Sequence, residues 1–235
     1  MLQSLTQNTG INTYVSRIPQ KGDNVNLTAR LPHEFYARDT LDVARDLLGK
    51  RLVRLDEGTR LAGRITEVEA YIGEDDRASH ASPGPTARNA PMYGPPGHSY
   101  VYLIYGVHHC LNVVTEREGF PAAILIRAIE PLEGLTIIQE RRGLQGRSTT
   151  LTCGPGRVCQ ALGIDRTLNY CDLCTPDALL WIEDAAPVPE TAIAHSPRIG
   201  VRGDPRAIEA RWRFYIRDSA WISGSRKFNR QWSKK

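Results

Sequence analysis

The chain has 235 residues, of which 41% are hydrophobic and 7% aromatic, a composition that suits a globular protein with one sizeable core. No apolar run approaches the roughly 20 residues that cross a bilayer, and the N-terminus lacks the charged-then-apolar order of a secretion signal, which argues against a membrane-spanning or secreted protein. The formal net charge is only +4, but residues 198–235 carry eleven Lys or Arg against three Asp or Glu. The positive charge is therefore concentrated at the C-terminal end.

Both ends of the chain differ from its middle. Residues 1–31 are polar, rich in Asn, Gln and Thr, and lack sustained periodicity, so we predict a mobile N-terminal tail. The catalytic or binding domain is then predicted over 32–222, and a basic C-terminal tail over 223–235. Two interpretations of the basic segment stay open: a patch that contacts phosphate groups, or a solvated tail.

The predicted elements begin with a helix over 41–48, capped by Asp39 or Thr40 and ended by Gly49. Strands follow over 51–55, 60–72, 100–105, 111–115 and 122–129, then helices over 135–142 and 156–162, and later strands around Trp181 and Ile193. Alternation in 212–216 predicts core packing for Trp212, Phe214 and Tyr215. Because strands predominate over helices, this order predicts an α+β fold with an antiparallel sheet.

The predicted strand 60–72 contains two acidic residues, Glu67 and Glu69, within a run of strand-forming Val, Ile, Thr and Tyr. Glutamate is depleted in strands and costly to desolvate without a partner. Side chains two residues apart share a face, so Glu67, Glu69 and Tyr71 should point the same way. The spacing leaves two interpretations open: carboxylates paired with arginines on a solvated face, or a carboxylate that activates water to break a glycosidic bond.

Several specific blocks follow this strand in a fixed order. They read DDRASH at 75–80, TARN at 86–89, MYGPPG at 92–97, YVYLIYG at 100–106, HHCLNVV at 108–114 and AILIRAIEP at 123–131. Further blocks are LDVARDLLGK at 41–50, GPGRVCQAL at 154–162 and RFYI at 213–216. Together they resemble the alkyladenine (3-methyladenine) DNA glycosylase family from about residue 35 to about residue 222. An ordered series of blocks is far more specific than any lone motif.

The resemblance implies a single compact α+β domain with a curved antiparallel sheet, a protruding β-hairpin and surrounding helices. It implies an enzyme that extrudes a damaged purine from duplex DNA and hydrolyses its N-glycosidic bond, leaving an abasic site. Candidate lesions are 3-methyladenine, 7-methylguanine, hypoxanthine and ethenoadenine. We expect a monomer that acts on double-stranded DNA without cofactor, metal or membrane, in the cytoplasm, with the nucleoid if bacterial or in the nucleus if eukaryotic. No lysine matches a family active-site position, so we expect no strand cleavage through a Schiff base.

The family's catalytic residues can be carried over by position. Glu69 matches the glutamate that deprotonates water, and Arg127 the arginine that holds water and carboxylate, whereas Glu67 is interpreted as a paired, structural acid. The resemblance also implies a base-binding pocket formed by Tyr71, Ala78, His80, Tyr102, Asn112 and Leu125. Aromatic walls suit a flat base and attract a cationic purine. Without the resemblance, the two tyrosines would be core residues and His80 a buried, hydrogen-bonded ring.

Other positions are predicted to contact DNA. Tyr105 matches the wedge that fills the gap left by the extruded nucleotide, and Asn112 matches the residue that limits guanine entry. The Gly-rich stretch before the helix at 156–162 could present backbone N–H groups to a phosphate, although it lacks a Walker or dinucleotide pattern. Predicted backbone contacts are Met92, Tyr93, Gly156 and Arg157.

Three alternatives accompany this interpretation. Cys171 and Cys174, with Cys153 and Cys159 upstream, could hold zinc, but their spacing lacks the two short pairs of a zinc ribbon, and reduced thiols are expected instead. A catalytically silent lesion-binding protein could use the same scaffold, since fold does not guarantee turnover. An RNA-binding or sugar-hydrolysing protein has no matching motif in the chain.

Overall fold

The computed structural model describes residues 30–146 and 148–233. The predicted mobile tail lies outside the described residues except for Arg30 and Leu31, and so does the end of the predicted basic tail. Leu31 is buried, and its backbone N–H donates to the carbonyl of Ile182. These two residues are therefore attached to the folded domain.

The described residues form eight strands and six α-helices, joined by short 3-10 turns. The strands are β1 Arg51–Asp56, β2 Thr59–Ile72, β3 Ser99–Ile104, β4 His108–Val114, β5 Ala122–Glu133, β6 Leu180–Glu183, β7 Ile193–Ser196 and β8 Arg213–Ile216. The helices are α1 His33–Tyr36, α2 Thr40–Leu47, α3 Leu135–Arg142, α4 Pro155–Leu162, α5 Pro205–Glu209 and α6 Arg226–Ser233. The bounds agree closely with the predicted elements from α2 to α4.

All strands join one antiparallel sheet in the order β3-β4-β5-β2-β1-β6, and β8 pairs with both β2 and β7. This confirms the predicted α+β class. Strand β2 is the centre of the sheet: its first half pairs with β1, and Glu67–Glu69 pair with β5 on one side and β8 on the other. The β2–β5 register shifts around Glu67, which marks a β-bulge. Both predicted acids thus lie on a strand that is bonded at both edges.

Local sequence accounts for the first helix and hairpin. Asp39 caps α2 as predicted, because its side chain accepts the N–H groups of Leu41 and Asp42. The β1–β2 turn uses Glu57 and Gly58, both with positive φ, the conformation that a two-residue hairpin requires. Strand β5 extends through Pro131 to Glu133, beyond the predicted end at Ile129, since β2 offers a long pairing edge there.

The main core lies where α2 and α4 pack on the sheet, and Leu47, Ile65, Ile126 and Leu162 are fully buried in it. Phe214 belongs to this core and Trp212 packs against it, while Tyr215 is fully buried, so the predicted core packing of the three aromatic residues is confirmed. None of the helices in the described ranges has the length and apolarity needed to cross a bilayer.

Candidate active site

One guanidinium on β5 joins the two glutamates of β2. Arg127 Nη1 lies 3.0 Å from Glu69 Oε2, and Arg127 Nε lies 3.0 Å from Glu67 Oε1. Both glutamates are completely buried and Arg127 nearly so. They share a face of β2, as the parity argument predicted. The interpretation that placed them on a solvated face is wrong, although the pairing with arginine is correct.

Glu67 has a full set of structural partners besides Arg127. Its Oε1 accepts from Arg213 Nε at 2.6 Å and from the Ser223 hydroxyl at 2.8 Å, and its Oε2 accepts from the Ser223 backbone N–H at 2.5 Å. Burial alone would raise the pKa of the Glu67 carboxyl, but the charges of Arg127 and Arg213 outweigh burial and lower it. Glu67 is thus a fixed anion that positions the guanidinium groups around it.

Glu69 has partners of its own besides Arg127. Its Oε2 also accepts the Tyr71 hydroxyl at 2.9 Å, and its Oε1 accepts the backbone N–H of Ile199 at 2.7 Å. Burial and then the charge of Glu69 raise the pKa of Tyr71 well above its usual value, so the phenol stays protonated and remains a donor. Burial lowers the pKa of Arg127, but the negative charges of Glu69 and Glu67 raise it by more. The net effect is a raised pKa, so the guanidinium stays charged. Three different donors therefore orient one carboxylate.

A cavity of about 390 Å³ opens above this carboxylate. All six predicted pocket residues line it, together with Arg127, Tyr105 and Met92. Glu69 is not itself a lining residue, but it is hydrogen-bonded to three residues that are, Tyr71, Arg127 and Ile199. The cavity is also lined by residues that the sequence did not single out: Tyr100, Ile104, Cys110, Pro155, Ile199, Gly200, Val201 and Arg202.

Aromatic rings make one wall of the cavity. The rings of His80 and Tyr102 meet edge to face with centroids 4.5 Å apart, and His80 Nδ1 lies 2.9 Å from the Tyr100 hydroxyl. Burial, and then the charge of Arg88, lowers the pKa of His80 to about 4, so its ring is neutral at pH 7. The wall therefore offers aromatic surface without a competing positive charge at His80. A flat ring, including a cationic one, can bind against such a surface.

The neighbouring strand β3 fixes the Asn112 side chain. Its Nδ2 donates to the Tyr100 carbonyl at 3.0 Å, and Asn112 pairs in register with Leu125, which pairs in turn with Glu69. Neighbouring strands thereby place the amide, the leucine and the carboxylate in a row. The alternation of side chains along each strand predicts which residues of that strand share a face. Only the pairing register between strands brings Asn112, Leu125 and Glu69 together.

The segment 199–202 closes the cavity and was missed by the sequence reasoning. It is anchored by Arg198, whose guanidinium binds both carboxylate oxygens of Asp76 at 2.6 and 2.8 Å and lies 4.7 Å from the centre of the Tyr71 ring. Asp76 and Arg198 are fully buried side chains. They lie 122 residues apart in the chain, and no local pattern marks the pair. Arg213 and Ser223, the partners of Glu67, were missed for the same reason.

The predicted DNA contacts lie in different places. Tyr105 stands at the tip of the β3–β4 hairpin, 86% exposed, at the mouth of the cavity, whereas Met92 is buried in the cavity wall. Tyr93 is half-buried, and its hydroxyl donates to Glu74 at 2.8 Å. Gly156 packs against His108 and Arg157 is exposed; neither is a lining residue of this cavity. Contact of these residues with DNA stays a prediction.

The five cysteines are free thiols. Within the described part of the chain they form no group of three metal-ligating side chains. Burial and then Asp172 raise the pKa of Cys174 to about 12. Cys110, Cys153 and Cys159 are buried and Cys171 and Cys174 are partly buried; that the thiols hold no metal stays an expectation.

Comparison with known proteins decides the family. Residues 34–220 match the family model described as methylpurine-DNA glycosylase (MPG). The chain belongs to this family. Among curated relatives, the protein named "Putative 3-methyladenine DNA glycosylase" from Methanocella arvoryzae is 51% identical over 193 residues, which cover 82% of this chain and 95% of the relative.

Two bacterial relatives carry the same name. The protein from Anaeromyxobacter dehalogenans strain 2CP-C is 53% identical over 83% of this chain and 86% of its own length. The protein from Myxococcus xanthus is 49% identical over 82% of this chain and 93% of its own. Membership of the methylpurine-DNA glycosylase family supports a DNA glycosylase role, a hydrolase that acts on N-glycosyl bonds with DNA as its substrate.

Proposed function

We propose that this methylpurine-DNA glycosylase flips alkylated or deaminated purines out of duplex DNA into the 390 Å³ cavity and hydrolyses their N-glycosidic bond with water activated by Glu69. One observation carries the proposal. A carboxylate, buried at the base of an aromatic cavity, is held by Arg127, Tyr71 and the Ile199 N–H. Such a preorganised base is what water activation beside a dissociating glycosidic bond requires.

In the proposed reaction, Glu69 binds the attacking water and accepts its proton. A carboxylate has about four lone-pair positions, two on each oxygen. Tyr71 and Arg127 occupy both positions on Oε2, and the Ile199 N–H occupies one on Oε1, which leaves one position on Oε1 for a water. As the C1′–N bond breaks, its electron pair leaves with the base, water oxygen bonds to C1′, and the water proton passes to Glu69. A cationic base such as 3-methyladenine leaves as a neutral molecule, whereas hypoxanthine and ethenoadenine need a proton or hydrogen bond to leave.

The cavity suits a flipped purine. His80, Tyr102 and Tyr71 provide aromatic surface for stacking, and the neutral His80 does not repel a cationic lesion. In this proposal Tyr105 enters the duplex and fills the vacated stack, while Asn112 discriminates against guanine through its fixed amide. Because no lysine is among the cavity-lining residues, we propose a monofunctional enzyme that uses water rather than an amine.

The rival is a protein that binds lesions on this scaffold without cleaving the bond. The presence of Glu69 and Arg127 in hydrogen-bond contact argues against it, since lesion binding alone does not require a buried carboxylate behind the pocket wall. A single variant separates the two functions.

Glu69→Gln keeps the size of the side chain but cannot accept a proton from water. We expect single-turnover release of 3-methyladenine and hypoxanthine from defined duplexes to fall by at least about 100-fold, the lower range for loss of a general base, while affinity for the lesion duplex is retained. The matched control is Glu133→Gln, which changes a partly exposed glutamate paired with Arg60 and should release both bases normally.

Release of neutral bases at the wild-type rate by Glu69→Gln would remove Glu69 as the base. If wild-type protein binds the lesion duplex but releases none of 3-methyladenine, 7-methylguanine, hypoxanthine and ethenoadenine, the binding protein is the correct function. The same panel measures the breadth of substrates.

A further inference from the structure

Three side chains outside the active-site cavity bring potential metal ligands together. His33 lies in α1, His98 directly precedes β3, and Asp172 lies in the loop that leads to β6. One ligand atom from each lies within 4.8 Å of the other two. None of the three is a lining residue of the proposed active site.

The hydrogen bonds of His33 fix its tautomer. Its Nδ1 lies 3.0 Å from the Pro96 carbonyl oxygen, which can only accept, so Nδ1 carries a proton. The other ring nitrogen, Nε2, lies 3.3 Å from Asp172 Oδ2. In the neutral ring, that nitrogen presents a lone pair to a carboxylate, an unfavourable arrangement unless a proton or a metal ion lies between them. Metal-bound histidines typically donate their other N–H to a backbone carbonyl in this way.

His98 provides an independent observation. Its Nδ1 is buried and has no hydrogen-bond partner among the described residues. Buried polar atoms are rarely left without a partner, because the loss of hydration is not repaid. A metal ion bound among the three side chains would use ligand capacity that hydrogen bonding leaves unused.

The backbone holds this arrangement in place. His98 and Asp172 are partners in an isolated antiparallel bridge, and the Leu173 N–H donates to the Gly97 carbonyl at 3.0 Å. Gly97 has φ +81°, and a Cβ there would lie 3.2 Å from His33 Nδ1 and 2.9 Å from Cys174 Sγ. A larger residue at this position would push α1 away. The close approach of the three ligands therefore depends on a glycine and on a paired backbone.

We propose that His33, His98 and Asp172 bind a divalent transition metal ion, with Zn²⁺ as the best match. Two imidazole nitrogens and one carboxylate oxygen are ligands that Zn²⁺ accepts, and the carboxylate offsets part of its charge. A fourth position would be taken by water. The ion ties α1 and the 172 loop to the start of β3, the strand that carries Tyr100 and Tyr102 into the active-site cavity.

The test is Zn²⁺ and Co²⁺ titration of the full chain after chelator treatment. Calorimetry should give one ion per chain, Co²⁺ should give the visible absorption of a low-symmetry site, and Zn²⁺ should raise the unfolding temperature. His33→Gln, His98→Ala and Asp172→Asn should each weaken Zn²⁺ binding by more than about 100-fold, because loss of even an outer partner of a ligand costs roughly 10–100-fold. His195→Ala, which removes an exposed histidine elsewhere, should bind as wild type.

His33 is partly exposed, so His33→Gln should fold even if the more enclosed variants do not, and circular dichroism checks this. Absence of one-to-one binding overturns the proposal, as does binding that survives His33→Gln. Cys171→Ser with Cys174→Ser gives a last discrimination: Zn²⁺ binding that needs these thiols but neither histidine would be a cysteine site and would also overturn it.

Discussion

The buried charge cluster and the tip of the β3–β4 hairpin are opposite kinds of structure. In the cluster of Glu67, Glu69, Arg127 and Arg213, internal hydrogen bonds and ion pairs account for the position of each side chain. At the hairpin tip, Tyr105 is 86% exposed and Val107 70% exposed. Interactions within the chain thus account for the side chains of the cluster, whereas the two side chains at the hairpin tip are mostly in contact with solvent.

The contrast separates two kinds of evidence about function. A cluster that is well satisfied internally can be required for stability alone, so its chemistry must be tested against its effect on folding. A large aromatic residue that is held out into solvent on a left-handed turn contributes little to folding, and its interest lies in what it contacts outside the chain. A variant that changes stability without changing DNA contact, or DNA contact without stability, separates the two kinds of evidence.

Glu67→Gln should have the largest effect on stability. It leaves the buried guanidinium of Arg213 without its nearest counter-charge, and breaking a buried pair in this way typically costs about 3–5 kcal/mol in the free energy of unfolding. Urea unfolding at pH 7 measures the change. Glu133→Gln removes a partly exposed pair with Arg60 and should cost less than about 1 kcal/mol.

Equal costs for the two glutamates would break the comparison, because the buried cluster would then contribute no more than a surface pair. A stable Glu67→Gln protein that loses base excision would instead assign Glu67 a direct chemical role. We expect neither outcome. Glu67→Gln should lower the free energy of unfolding and retain excision at temperatures where the variant is folded.

Tyr105→Ser should show the reverse pattern. The residue is exposed, so unfolding should change by only about 0.5 kcal/mol, whereas the flipped complex should lose stabilisation on the order of a few kcal/mol because the vacated stack is not filled. A fluorescent base analogue beside the lesion reports stacking. Tyr170→Ser is a close control, since Tyr170 is also exposed and also has a positive φ, but lies beside the start of β3, where its backbone N–H donates to the Ser99 carbonyl, and not at the hairpin tip. Equal flipping by both variants would exclude the wedge.

The two regions also differ in how far the sequence predicts them. Hydrophobic periodicity and turn residues predict the elements from α2 to α4, because those signals are local. Parity predicted that Glu67 and Glu69 share a face. It could not predict that Ser223 and Arg213 bind Glu67, since those contacts span 156 and 146 residues and depend on how β8 pairs with β2.

The cavity shows the same limit. All six residues that the resemblance placed in the pocket do line it, yet the 199–202 segment that closes it carries no motif. Its position follows from the buried pair of Arg198 with Asp76, and a buried ion pair becomes visible only when the chain is folded. The exposure of Tyr105, by contrast, agrees with a tyrosine that directly precedes a turn glycine.

Asn112 shares features with both regions, because it is buried like the charge cluster but lines the cavity as Tyr105 does. Asn112→Ala should raise release of 7-methylguanine relative to 3-methyladenine by about tenfold, as expected when one unfavourable contact is removed. Competition assays with both lesions measure the ratio. Leu125→Ala, at the paired position on β5, enlarges the same cavity without removing an amide. If both variants gain equally on guanine, cavity size rather than the Asn112 amide sets the preference.

Variants of the basic C-terminal segment should have the smallest effect on function. The segment contains both buried residues of the charge cluster and exposed basic side chains. Its predicted boundary at 223 falls on Ser223, which is buried against Glu67, and Asn229 on α6 accepts a hydrogen bond from Arg213 at 2.9 Å. Removing everything from Arg226 onward would therefore also remove part of the buried cluster. Exposed charges on α6 must instead be changed one at a time.

Arg226, Lys227 and Arg230 are exposed on α6, and Arg226 and Arg230 line a second cavity of about 450 Å³ together with Arg157. If these side chains contact DNA phosphates, each neutralisation to Gln should reduce the slope of log affinity against log salt by about 0.9, because each lost contact leaves one more counterion on the duplex. Unfolding free energy should stay within about 0.5 kcal/mol of wild type, and excision at saturating enzyme should not change. Arg38→Gln is the control, since this arginine is also partly exposed but pairs with Asp46 on α2. An unchanged slope in all three α6 variants would make the segment a solvated helix, and the concentration of positive charge at this end of the chain would then have no part in DNA binding.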